Sequence, residues 1–577
     1  MSRLSRDEYR LRYGPTTGHL VRLGDTDLHV RVEDDHVGYG DEPMWGYAKN
    51  LRSRQAQFDR ATTESELDMM IGGVLLIDPL LGIVKTNIGI KDGRVVGIGR
   101  AGNPDLTDGV DLTIGPNTLP VNAYGLIATP GAIDSHVHAI TPPIVPVALS
   151  AGITTLITAG FEEPPYMMAE TLRAFEAFPV NLGLQASART DAPGHVERVI
   201  EAGACGLKVH EDWGAYPEIV DATLALAEAH DVAVCLHTDG LNESCELEDT
   251  VAAIGGRAIH AYHVEGSGGG HLPDIIAIVR EPNVICSSTT PTIPFGPSAH
   301  AEHLDMKLLV HGGSIVVRDD VEAALELQLP ERTAAEGPLH ELGGISIVNS
   351  DSQGMGRIGE TIRRTLQLAH IMKAWRATEA GSGWPEPPAV RRLMPVSASV
   401  MEHSDDNERV LRYLAKVTVD PAITHGIASH VGSLAPGRLA DIVLWHPAWF
   451  GVKPELVLKT GEFAWGSLGE GNASVEYAEP RRFGPHWGGH GLAPPEISTT
   501  FVSRAALESG IADRLGSRRR FSPVQDTRTV RRDSLRGNRA VLPIDVDPTT
   551  GAVTLHGRPL ASKPATEVPL SRRYLLA

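Results

Sequence analysis

At 577 residues, 42% of them hydrophobic, the chain is long enough to bury more than one core, so a large catalytic domain with a companion is expected. A formal net charge of −20 repels phosphate backbones and anionic membrane surfaces, which argues against nucleic acid as a partner. No stretch of about 18 uncharged apolar residues occurs, and the first residues mix charges without an apolar h-region, so a soluble cytoplasmic protein is expected. The four cysteines, Cys205, Cys235, Cys245 and Cys286, show no C-x-x-C spacing and are read as free thiols filling small core positions.

In chain order, residues 69–99 alternate apolar and turn residues, with Asp92-Gly93 as a hairpin signal, and predict strands of a small sheet domain. From residue 126 onward, short apolar runs alternate with helical stretches such as 217–230. The runs at 126–134, 154–159, 180–185, 206–210, 232–237, 257–263, 283–287 and 345–351 match a closed (β/α)8 barrel of the α/β class, whose active site sits at the C-terminal strand ends. A later β-rich stretch, 440–445, is expected to rejoin the N-terminal sheet and make that domain discontinuous. The expected organisation is an N-terminal region over 1–125, the barrel over 126–425 with a flap around 305–335, a return to the β-domain over 426–482, and a C-terminal segment over 483–577 that packs on the barrel and makes subunit contacts. The arginines of 514–539 are interrupted by Asp526 and Asp533 and read as subunit contacts or a solvated face.

The chemistry falls at the strand ends. His136 and His138 flank one residue on the first strand, so their side chains leave the same face. Lys208 and His210 end the fourth run, His237 the fifth, His263 the sixth and Asp351 the eighth. Any one of these histidines is as readily a satisfied core residue as a ligand; their joint placement points to metal. An ammonium cannot ligate a cation, so Lys208 belongs in such a set only as a CO2-derived carbamate bridging two ions about 3.5–4 Å apart, the alternative being an ion pair with Asp351 or Asp212. Two divalent ions against a carbamate, Asp351 and a hydroxide leave a slightly positive site suited to a neutral carbonyl substrate.

The runs Gly14-Pro-Thr-Thr-Gly, Arg22-Leu-Gly-Asp-Thr-Asp-Leu, Ala128-Thr-Pro-Gly-Ala-Ile-Asp-Ser-His-Val-His, Gly206-Leu-Lys-Val-His-Glu-Asp-Trp-Gly and His263-Val-Glu-Gly-Ser-Gly-Gly-Gly-His resemble the α (large catalytic) subunit of ureases, within the amidohydrolase superfamily. So do Glu302-His-Leu-Asp-Met, Asp351-Ser-Gln-Gly-Met-Gly-Arg and Arg572-Arg-Tyr-Leu, and the resemblance covers nearly the whole chain. It implies nickel-dependent hydrolysis of urea to ammonia and carbamate. His136 and His138 would hold one nickel, His237 and His263 the other, Lys208 would be the carbamylated bridge (N6-carboxylysine), and Asp351 would complete the first ion's ligands. The resemblance further implies that His210 donates to the urea carbonyl, that Gly354 lines the substrate pocket, and that His311 on the flap is the proton donor with Asp212 orienting it. Separate or fused β and γ subunits, nickel-delivery accessory proteins and a higher oligomer are implied as partners.

The chain departs from the family at the flap. Val310-His311-Gly312 stands where Cys-His-His is usual, Leu327-Gln328-Leu329 lacks the expected arginine, and Arg332 is the nearest replacement. Gly354 replaces an alanine, and Gly160-Phe-Glu-Glu-Pro-Pro is shorter than the family's glycine-rich loop. Two other readings follow: a two-metal amidohydrolase acting on another small amide or ureido compound, and a non-catalytic paralogue.

Overall fold

A computed structural model describes residues 4–44, 51–52, 54–210, 214–237, 247–267, 275–310, 312–326, 330–394, 404–468 and 482–576. Eight parallel strands stand in sequential order: β1 (Ala132–Val137), β2 (Ile153–Thr158), β3 (Asn181–Ser187), β4 (Ala204–Val209), β5 (Ala233–His237), β6 (Ile259–Tyr262), β7 (Val284–Thr289) and β8 (Ile347–Asn349). Sequential parallel strands need crossovers, and intervening helices such as Pro217–His230 supply them. The barrel closes where the chain leaves β8: the Asp351 N–H donates to the His136 carbonyl (2.8 Å) and the His138 N–H to the Ser352 carbonyl (2.9 Å). The fold is thus an amidohydrolase-type (β/α)8 barrel, sealed at its C-terminal end by the residues expected to carry the chemistry.

A second, mixed sheet forms the companion domain. Ile127–Pro130 pairs parallel with Met69–Asp78 on one side and antiparallel with Ile442–Trp445 on the other, so stretches some three hundred residues apart share one sheet. At its tip Gly82–Lys91 turns into Arg94–Gly99 through Asp92 (φ 50°) and Gly93 (φ 72°), the doubly left-handed turn that an Asp-Gly pair favours. One sequence expectation is corrected here. The run 126–134 is not a single barrel strand: Ile127–Pro130 belongs to the companion sheet, and β1 begins at Ala132. Gly131 allows the passage between them, since a Cβ there would lie 2.1 Å from Thr154 Oγ1.

The C-terminal segment also contributes a strand: Thr499–Val502 pairs parallel with β3. Three helices follow β7 or lie between it and β8, α1 (Ala299–Val310), α2 (Arg318–Glu326) and α3 (Pro330–Leu342), and a short helix α4 (Val419–Thr424) packs at the barrel's floor. Among the described residues no helix is long and apolar enough to cross a membrane.

Candidate metal centre

The strand ends gather the expected side chains at one point. Alternation along β1 turns Asp134 and His136 to the same face, and His138 continues the series one residue past the strand. Asp134, fully buried, accepts hydrogen bonds from the His136 N–H (3.2 Å), the Ser350 N–H (3.0 Å) and the Thr361 hydroxyl (3.3 Å), and so pins β1 to the chain leaving β8. Burial raises its carboxyl to about 6 against those bonds. Asp351 arrives opposite: its Oδ1 lies 3.2 Å from His136 Nε2 and 2.9 Å from His138 Nε2. Burial alone would raise Asp351, but the two imidazoles hold it well below the ordinary carboxylate range, so it is anionic. Burial pushes the His136 imidazole well below its ordinary value, against the pull of the Asp351 carboxylate.

The second pair meets the first. His263 Nε2 stands 3.1 Å from His237 Nδ1, and the His136 and His263 rings are 5.5 Å apart. Donor atoms of His136, His263 and Asp351 fall within 4.8 Å of one another, which is the spacing a bound cation requires of its ligands. The two histidine pairs and the carboxylate thus meet at one place, and imidazoles with a carboxylate make a donor set for borderline divalent ions. The His210 ring lies 4.0 Å from that of His237 and is half-exposed, facing the same mouth. Lys208, 1% exposed, comes up between β3 and β5, with its Nζ 4.4 Å from the centroid of the Tyr262 ring. Gly160, with φ 117°, leaves room for it, since a Cβ there would sit 3.1 Å from Lys208 Cγ.

Backbone conformation does part of the gathering. Ala139, His263, Asp351 and Gln353 have φ of 49°, 32°, 58° and 64°. A left-handed non-glycine residue costs of order 1–3 kcal/mol and persists only where surroundings enforce it. At β6 the consequence is direct. Strict alternation would send His263 away from the face that Tyr262 occupies; the left-handed turn brings both toward the interior. Gly354 permits the closest approach, because a Cβ there would fall 2.6 Å from Asp351 Oδ1 and 2.7 Å from His138 Nε2.

The structure therefore brings together His136, His138, Lys208, His210, His237, His263, Asp351 and Gly354. Asp212, His311 and Leu327–Leu329 lie outside the described residues. Arg332, the sequence's nearest replacement for the flap arginine, is 2% exposed and packs its guanidinium against the backbone of Gly266, in the turn after His263. Sequence reasoning missed Tyr262. Its ring stacks on His136 (4.0 Å between centroids, 22° between planes), and its hydroxyl donates to the Ser135 carbonyl (2.7 Å), making it the plate under the mouth. Its two-residue spacing from His260 on a strand was the available signal.

Known proteins are similar in sequence to this chain along almost its whole length. Residues 127–462 match the amidohydrolase family and residues 2–121 the urease alpha-subunit N-terminal domain. Urease subunit alpha 1 of Streptomyces avermitilis is 45% identical, covering 98% of this chain and 99% of its own length. Urease subunit alpha 2 of Streptomyces coelicolor is 44% identical over 98% of this chain and 99% of its own.

Proposed function

Since the chain belongs to the urease alpha-subunit family, we propose that it hydrolyses urea to ammonia and carbamate at a dinuclear nickel site in the barrel mouth. The observation that carries this reading is the meeting of His136, His263 and Asp351 donors within 4.8 Å, with His237 3.1 Å from His263. His136, His138 and Asp351 would hold one ion, His237 and His263 the other, and a carbamate on Lys208 would bridge them. When bound, the metal pair supplies Lewis acidity toward the amide carbonyl and a water acidified for attack. The remaining work falls to the chain's own groups. His210, half-exposed beside His237, would donate to the urea carbonyl oxygen, and Gly354 would line the substrate pocket. His311 is assigned the proton for the departing ammonia and Asp212 the orientation of that imidazole, because C–N cleavage needs a positioned acid. β and γ subunits, separate or fused, nickel-delivery proteins, a higher oligomer and a cytoplasmic location would accompany this assignment.

The test is elemental analysis of the purified assembly together with ammonia release from urea. Two nickel ions per chain with urea turnover support the reading; a fully metal-loaded assembly that leaves urea intact while hydrolysing another small amide overturns it.

A further inference from the structure

A second donor cluster lies below the Tyr262 plate. The His260 ring meets Tyr262 edge-on at 4.6 Å, on the side away from the mouth, and Cys235 packs with Tyr262 in the same small buried cluster. Cys235 on β5, His260 on β6 and His425 just past α4 are each 2% exposed or less, and their donor atoms lie within 4.8 Å of one another. His260 Nδ1 is 3.2 Å from His425 Nε2 and 3.9 Å from Cys235 Sγ.

We propose that Cys235, His260 and His425 form a second cation site, separate from the mouth and suited to a thiophilic d10 ion of the zinc kind. Zinc binds imidazole nitrogen at about 2.0–2.1 Å and thiolate at about 2.3 Å, so neighbouring donors in a tetrahedral site stand roughly 3.3–3.6 Å apart. The two measured edges bracket that span. Hydrogen bonds can account for the two edges one at a time, the imidazole pair at 3.2 Å and a long thiol contact at 3.9 Å, both on His260 Nδ1. A central ion accounts for the convergence of all three donors on one point.

The surroundings fit the same occupant. Burial lowers both imidazoles, His425 to about 3, so they carry free lone pairs at neutral pH. The Gln185 amide nitrogen stands 3.3 Å from His425 Nδ1; only with its amide turned over would its oxygen face that ring and accept from Nδ1–H once Nε2 is bonded to metal. A small cleft lined by Ala233, Ile259, His260, Thr424 and Arg528 reaches the cluster from the floor side. Loading is proton-balanced: the Cys235 thiol gives its proton to solvent as sulfur bonds the ion. The ion would tie the floor helix to two barrel strands.

The experiment uses the full-length chain carrying His136→Ala and His263→Ala, which cripple the mouth, titrated anaerobically with Co2+ as a spectroscopic stand-in for zinc. One equivalent of cobalt with a sulfur-to-cobalt charge-transfer absorption is expected, displaced by Zn2+. Adding Cys235→Ala, or Cys235→Ser should the alanine variant fail to fold, abolishes that absorption while circular dichroism remains that of the folded chain. No charge-transfer band in the folded chain, or a band that survives loss of the Cys235 sulfur, overturns the proposal. Because the host lacks two mouth ligands and the absorption reports a sulfur ligand, which the mouth set does not contain, the result is independent of whether nickel and urea belong to the upper site.

Discussion

The two faces of the Tyr262 ring are lined by the same kind of side chain under opposite backbone regimes. Above it, His263 and Asp351 are reached through left-handed residues, and hydrogen bonds across the closing seam hold them there. Below it, Cys235 and His260 sit on ordinary strands and His425 follows a short helix, with no left-handed residue among the three. Imidazoles can therefore be brought together without left-handed backbone. Strain enters just past the strand ends, at the closing seam for Asp351 and beyond β6 for His263.

Variants at the mouth should separate from those at the plate by what they remove. Lys208→Ala carries the largest expected effect, loss of both metals and of activity in a barrel that stays folded, with partial restoration by a small carboxylate such as formate; full metal occupancy in this variant would sink the bridging role. Next, His136→Ala and His237→Ala should each strip one ion more than the other, in opposite senses, read by metal stoichiometry after dialysis; equal retention of both ions contradicts the division of ligands. His311→Ala should leave metal content and KM near normal and lower kcat by about 10²–10⁴-fold, the span of one acid–base group, in steady-state assays of urea turnover. Unchanged kcat removes His311 from the reaction. Smallest is Tyr262→Phe, which keeps the stack on His136 and deletes the hydroxyl's bonds to the Ser135 carbonyl and Gln185 Oε1, at a cost of roughly 1 kcal/mol in denaturant unfolding with metal retained. Loss of metal in that variant would mean the plate positions ligands through its hydroxyl.

Much of the site could be read from residue order because a barrel puts strand ends in one place. His136 and His138 reach the mouth by simple alternation, and His237 by its position at the end of β5. The turns at His263 and Asp351 were not legible, since a left-handed histidine or aspartate carries no local signature of the kind that Asp92-Gly93 provides. The first apolar run misled for a related reason: Pro130-Gly131 divides strands of two different sheets without interrupting hydrophobicity. The floor cluster was hidden by distance, because His425 stands 165 residues from the histidine it meets. Cys235 looked like core filling, which its burial also satisfies.

The sharing of one sheet by Met69–Asp78, Ile127–Pro130 and Ile442–Trp445 has a consequence for biosynthesis. While the ribosome is still producing the barrel, Ile127–Pro130 presents an open strand edge, and its cover, Ile442–Trp445, emerges only after the eighth barrel strand. Unpaired apolar edges invite association between nascent chains, and long-range pairings form late. The companion sheet thus acts as a completion clasp, shut only when the whole catalytic module has been translated, and the edge beneath it is the place where a holding chaperone would have the most to protect.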